Sequence, residues 1–249
     1  MKPVTKNGVL YLSEPQEHGF EKAYLSLREK ENRLLSDSQV AKLPYLVNHA
    51  LEKEWKLRQE STERVLNYFK DKELVNVFEI GAGNGWFSNQ LSLAIPNATV
   101  YAIDVNAKEL EQCANMFSKN KNIKPVYWNI FDKQTFLPKP GLIVFNASIQ
   151  YFPSLKQIIL RSFEVMKAYG EIHIIDSPIY AKNKAIEAIE RSENYYKSQG
   201  FPEVSKFYFH HTFEELEKFN HKVLYQPSVL AKILGKGKSP FPWIRISKY

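Results

Sequence analysis

The chain has 249 residues, 44% hydrophobic and 24% charged, which suits a globular fold with a sizeable core and excludes a disordered or fibrous polypeptide. Its net charge of +7 permits an acidic partner, but the basic residues are spread out, and the short clusters Lys119–Lys124 and Lys232–Lys238 do not make a basic helix with readout residues. No apolar run is long enough to span a membrane, and the first 17 residues lack the apolar core of a signal peptide.

Residues 1–15 hold Gly8 and Pro15 around a short apolar run, Val9–Leu12, which reads as a lone strand or an arm. Glu17–Leu35 carries Phe20, Tyr24, Leu27 and Leu34 near helical spacing. Glu21, Lys22, Arg28 and Lys30 make its other face charged, so this is an amphipathic helix that needs a partner surface. Ser36-Asp37-Ser38 offers a new cap, and Pro44 interrupts. A further helical segment from about Asn48 to Phe69 puts Leu51, Trp55, Val65, Leu66 and Phe69 on one side. Within it, Trp55, Arg58 and Ser61 or Thr62 share a face. Residues 1–70 therefore read as a helical extension.

From residue 71 the pattern changes to alternating strands and helices. Val75, Val77 and Ile80 alternate with Asn76 and Glu79, while Phe78 keeps the run apolar, as in a buried strand. Gly81, Gly83 and Gly85 follow, then an amphipathic segment, Trp86–Ala94, stopped by Pro96. Strand, glycine turn and helix in that order bring backbone N–H groups to a helix N-terminus. The next apolar segment, Ala98–Ile103, ends in Asp104, an acid about 20 residues past the glycines and placed to bind a ribose diol. A helix over Ala107–Ser118, a strand near Lys124–Trp128 and a loop with Pro138 and Pro140 lead to a buried strand, Leu142–Phe145. A helix over Leu155–Lys167 and a fifth strand, Glu171–Asp176, complete an α/β rhythm that implies parallel pairing. The tail departs from it. Ala181–Gln199 reads as a helix with Ala185, Ile186, Ile189 and Tyr196 on one face. A strand-like aromatic run leads to His210-His211, a short helix starts at Thr212, and His221–Gln226 and Trp243–Ser247 read as final strands with Val229–Leu234 between them. The single cysteine, Cys113, can form no internal disulfide, so a reducing, cytoplasmic setting is expected.

Glu79–Gly85 (EIGAGNG) and Tyr101–Asn106 (YAIDVN) resemble the first motif and second strand of the class I S-adenosylmethionine-dependent methyltransferases, small-molecule type. The resemblance covers roughly residues 70–176. It implies a Rossmann-like doubly wound sheet, mostly parallel with a C-terminal antiparallel strand. It also implies a helical cap over residues 1–70 and a core over 71–249 with a lid insertion at about 178–212. The cofactor would be S-adenosylmethionine, with S-adenosylhomocysteine as product.

The resemblance also distributes roles. Gly81, Ala82, Gly83, Asn84 and Gly85 would leave room for the cofactor against the backbone, and Glu79 would receive its ammonium group. Asp104 would accept both ribose hydroxyls, or else cap the helix that follows. Val105 would pack on adenine, whose amino group would meet Asn129 or Asp132, with Ile130 beside it. Asn146 opens a stretch similar to the fourth motif, in which Gln150 and Tyr151 would face the methyl group, or Tyr151 would be core. That stretch is not the N/D-P-P-Y motif of amino-group methyltransferases acting on nucleic acids. Arg58 would pair with the methionine carboxylate, or be a surface arginine. His210 and His211 are candidate general bases, or helix-start and surface histidines, whereas His173, between Ile172 and Ile174, reads as structural. No cluster has metal-ligand spacing, so no metal is expected. The acceptor would be a small molecule, methylated on O, N or C. An RNA or protein acceptor, or a catalytically silent cofactor-binding protein, stays open, while the glycine spacing and Glu79 argue against a nicotinamide oxidoreductase.

Overall fold

The computed structural model describes residues 3–15, 19–133, 136–227 and 239–248, the side chains of 19–21 excepted. In chain order the elements are β1 (Val4–Lys6), β2 (Val9–Tyr11), α1 (Gly19–Lys30), α2 (Asp37–Val40), α3 (Glu52–Phe69), β3 (Asn76–Ile80), α4 (Trp86–Ala94), β4 (Thr99–Asp104) and α5 (Ala107–Met116). There follow β5 (Ile123–Tyr127), β6 (Leu142–Asn146), α6 (Leu155–Val165), β7 (Glu171–Ile175), α7 (Lys182–Gln199), α8 (Phe213–Leu216), β8 (His221–Tyr225) and β9 (Trp243–Ser247). The Val229–Leu234 segment and the Lys232–Lys238 cluster lie outside the described residues.

The strands form one sheet in the order β1-β2-β5-β4-β3-β6-β7-β9-β8. The pairs from β5 to β7 are parallel, and β9 runs antiparallel to both β7 and β8. The chain leaves β3 for β4 on one side and later returns to β6 on the other. That reversal opens a crevice at the C-terminal strand ends, where open α/β sheets bind ligands.

Side-chain alternation gives the sheet two apolar faces. On one, Phe78, Ile80, Ile143, Phe145, Ile172 and Ile174 pack against Leu155, Ile158 and Ile159 of α6. On the other, Val77, Val100 and Val144 meet Val65 and Phe69 of α3 and Phe87 and Leu91 of α4. Fully buried His173 of β7 belongs to this second face. Its Nδ1 accepts from Trp243 Nε1 at 2.9 Å and its Nε2 lies 3.3 Å from Glu171 Oε2, so both nitrogens are used structurally.

Four readings of the sequence need correction. Residues 4–11 are not part of a helical cap. They form a hairpin about Asn7 and Gly8, both at positive φ, and β2 pairs in parallel with β5, extending the sheet edge. The aromatic run after Gly200 is not a strand, because Pro202–Phe207 coils into a 3-10 helix. Nor do Ile186 and Ile189 face inward on α7, since both are exposed. Ala188 and Tyr196 are buried instead, Tyr196 packing with Leu27 of α1 and Val204 of the 3-10 helix. Val75 also falls outside its strand and is exposed.

Candidate active site

A cavity of about 900 Å³ lies over the C-terminal strand ends, within the size range of small-molecule sites. Each central strand delivers one polar side chain to it: Glu79 from β3, Asp104 from β4, Asn146 from β6, and Asp176 just after β7. Its roof comes from three helices, through Tyr24 and Arg28 of α1, Trp55 and Arg58 of α3, and Ser192 and Tyr196 of α7. Helices α1 and α7 are tied together beside it, where Tyr195 Oη donates to Glu31 Oε1 at 2.5 Å and Lys30 Nζ to the Gln199 carbonyl at 2.8 Å.

Glu79 is buried and accepts a hydrogen bond from Ser88 Oγ of α4. Burial pushes its carboxyl up to about 8, the Ser88 bond opposing the rise and nearby Asp104 adding to it. Burial likewise raises Asp104, against the pull of three backbone N–H groups. Gly83 N–H donates to its Oδ2 at 2.8 Å, and Val105 and Asn106 N–H donate to its Oδ1 at 2.7 and 2.8 Å. Asp104 does not cap α5. Asn106 does, its Oδ1 accepting from Glu109 N–H at 3.2 Å.

The glycine turn works differently from expectation. Gly81, Ala82, Gly83 and Asn84 line the cavity, but Gly85 does not. A Cβ on Gly85 would stand 2.2 Å from Cys113 Sγ, and one on Gly81 would stand 2.4 Å from Ser148 Cβ. These two glycines admit neighbouring protein atoms, so the turn can pass under α5 and the segment after β6. All three glycines have positive φ.

Asn146 Oδ1, Gln150 Oε1 and Trp55 Nε1 are buried with no hydrogen-bond partner among the described residues. Buried polar atoms are normally paired, so these two acceptors and one donor suit a polar ligand. Trp55 packs edge-on against Trp86, ring centroids 5.1 Å apart. Arg58 stacks on Trp55 and donates to Glu54 at 3.1 Å. Burial would raise Glu54, but hydrogen bonds and charge from Arg33 and Arg58 hold its carboxyl at about 2. On the opposite wall Val105 is exposed, Ile130 is buried, and Asn129 and Asp132 both line the cavity. Asn129 Oδ1 already accepts from Phe131 N–H at 3.1 Å.

Neither candidate histidine lines the cavity. His211 is buried, with Nε2 3.2 Å from the Ile149 carbonyl and Nδ1 3.8 Å from Glu215 Oε1. That contact ties it to the 3-10 turn Ile149–Tyr151. His210 Nε2 lies 2.8 Å from Ser192 Oγ, and its ring packs between Tyr180 and Tyr208. Tyr208 reaches the cavity in its place, beside Tyr151, whose ring meets Tyr24 and Tyr208 edge-on at 5.8 and 5.9 Å.

Asp176 and Arg28 are among the lining residues that escaped the sequence reading. Asp176, buried at positive φ, accepts from Ser61 Oγ at 2.6 Å and Ser239 Oγ at 3.1 Å, and burial raises its carboxyl. Its place at the end of a parallel strand is the same signal that singled out Asp104. Arg28, read as part of the charged outer face of α1, lines the cavity instead.

A family model described as a methyltransferase domain matches residues 71–218, more than half of the chain. No curated protein sequence matches it. Among solved structures, geranyl diphosphate C-methyltransferase from Streptomyces coelicolor A3(2) superposes with a TM-score of 0.60 at 9% identity, over 94% of this chain and 99% of that one. The plantazolicin methyltransferase BpumL, in complex with SAH, gives 0.53 at 13% identity over 92% and 100%. YcgJ from Bacillus subtilis gives 0.57 at 10% identity over 76% and 98%. At such identities the structural likeness speaks to the fold, and the fold agrees with the family match. The chain belongs to the methyltransferase domain family, and it is an S-adenosylmethionine-dependent methyltransferase of the Rossmann-like class I type.

Proposed function

We propose that the cavity binds S-adenosylmethionine along the β3–β4 strand ends and a small-molecule acceptor under α1 and α7. The observation that carries this reading is the pair Glu79 and Asp104 on adjacent parallel strands, facing one cavity with the unpaired Asn146 and Gln150 oxygens. When bound, S-adenosylmethionine supplies a methyl group activated by its sulfonium.

The chain's residues do the rest. Glu79, as a carboxylate, pairs with the ammonium group, and Asn146 Oδ1 accepts from it. Asp104 Oδ2 carries one backbone hydrogen bond, so it has capacity to accept from a ribose hydroxyl. Val105 and Ile130 pack on the adenine, and Asn129 or Asp132 accepts from its amino group. Arg58, held by Glu54, turns its remaining N–H groups to the methionine carboxylate. Gly81, Ala82, Gly83 and Asn84 line the sulfonium side. Tyr151 and Gln150 orient the acceptor, and the roof helices exclude water from the transfer. A reducing, cytoplasmic setting belongs to the same reading, with Cys113 free and buried. Titration calorimetry tests the proposal: S-adenosylhomocysteine binds and NAD does not. Tight NAD binding without a response to S-adenosylhomocysteine overturns it.

A further inference from the structure

Arginines 28, 33, 58 and 191 line the cavity. Arg33 forks onto Glu54, both contacts at 2.7 Å, and Arg58 shares that carboxylate at 3.1 Å. Arg191 is exposed. Arg28 differs from all three. Its Nε is buried with no hydrogen-bond partner, and no carboxylate among the described residues forms an ion pair with it. Its guanidinium lies 5.5 Å from the centre of the Tyr24 ring.

A guanidinium does not lose its proton, so Arg28 is a part-buried cation whose nearest carboxylates, Glu109 and Glu31, favour its charge from a distance without forming an ion pair. A buried donor left unpartnered, as its Nε is, is costly in a protein that has nothing to bind there. Its surroundings say what it faces. From Tyr24 a chain of edge-on rings runs through Tyr151 and Tyr208 to Tyr196, at centroid spacings of 5.8, 5.9 and 5.9 Å. This wall joins α1, the turn after β6, the segment before α8, and α7. Arg28 stands at its Tyr24 end, whereas Arg58 sits on α3 beside Trp55 and Trp86. The two cations therefore serve different parts of the cavity.

We propose that the acceptor carries an anionic group, a carboxylate or a phosphate, on an apolar or aromatic body, and that Arg28 holds that anion while the tyrosine wall holds the body. A planar fork of N–H donors matches either anion with two parallel hydrogen bonds. The inference rests on the reading of this cavity as a methyltransferase acceptor pocket.

The test uses the whole chain saturated with S-adenosylhomocysteine and probes it with benzoate, phenyl phosphate and the neutral benzamide, read by ligand-observed NMR titration. The expected result is that at least one anion binds about tenfold or more tighter than benzamide. Whichever anion binds tighter identifies the acceptor group. Arg28→Gln should abolish that preference, leave the S-adenosylhomocysteine affinity within about twofold, and stay folded, since no ion pair with a described residue depends on Arg28. Arg28→Lys should restore part of the preference, more for phosphate than for carboxylate. Benzamide binding as well as the anions, or no probe binding at all, overturns the proposal. So does an Arg28→Gln protein that unfolds, which would make Arg28 structural. A variant that loses S-adenosylhomocysteine but keeps benzoate overturns it too, by assigning Arg28 to the cofactor. If the parent protein does not bind S-adenosylhomocysteine, the cofactor reading fails instead, and the same probes without it still decide what Arg28 holds.

Discussion

The Gly83 N–H donates to Asp104 Oδ2 at 2.8 Å, so the carboxylate proposed to meet a ribose also fastens the glycine turn after β3 to the end of β4. Turn and acid are one unit, held by the fold's own hydrogen bonds.

Asp104→Ala is therefore expected to damage both stability and binding. Three backbone N–H groups lose their acceptor. The expected cost is about 1–3 kcal/mol in urea unfolding, with S-adenosylhomocysteine affinity lowered by about tenfold or more. Asp104→Asn keeps one oxygen and should fall between. If binding survives while stability drops, the carboxylate only braces the turn.

Glu79 makes both stability and affinity depend on pH. Its folded carboxyl titrates near 8, above its usual value of 4.5. The unfolded chain therefore gives up this proton first as pH rises. The stabilising contribution is full below about 4.5, declines between there and 8, and is lost above, a change of a few kcal/mol at most. Partnering an ammonium needs the ionised form, so S-adenosylhomocysteine should bind more tightly as pH rises toward 8, with proton release seen by calorimetry in buffers of different ionisation enthalpy. Glu79→Gln should flatten both profiles. An unchanged pH profile in that variant would remove Glu79 from the ammonium site.

Gly85→Ala probes the fit between α4 and α5. The new Cβ would lie 2.2 Å from Cys113 Sγ, at a φ of 72°. We expect a loss of about 2–4 kcal/mol from the clash and the backbone strain together. Adding Cys113→Ala should recover the clash but not the strain. A double variant no more stable than Gly85→Ala alone would show that the sulfur is not the obstacle.

His211→Ala should lower the melting temperature, because it empties a buried site and frees the Ile149 carbonyl. Cofactor affinity should stay within about twofold, and His210→Ala should likewise leave it unchanged. A loss of methyl transfer with normal folding and cofactor binding, in either variant, would return that histidine to the chemistry.

Much of the parallel core was legible because its signals are local. Val77, Phe78 and Ile80 make an apolar run, Gly81 to Gly85 punctuate, and Trp86 to Ala94 follow a helical period, so the β3–turn–α4 unit reads directly from neighbouring residues. Asp104 was legible for the same reason, since it ends the next apolar run. The roof was not. Arg28 and the outer-face lysines of α1 look alike in sequence, and only the packing of α1 on α7 turns one of them inward. The contact of Ser61 and Ser239 with Asp176 joins three distant segments, for which no spacing rule exists.

The sequence by itself determined the order of strands and helices from β3 to β7, the glycine turn and the acid that follows it. These depend on steric limits and apolar periodicity within a few residues. Only the tertiary structure decided which glycines face protein rather than ligand, that the N-terminal hairpin extends the sheet, that the paired histidines lie outside the cavity, and that Arg28 lies within it. Those outcomes depend on which surfaces meet across long stretches of chain, where the same residue types satisfy burial equally well on either side until packing selects one.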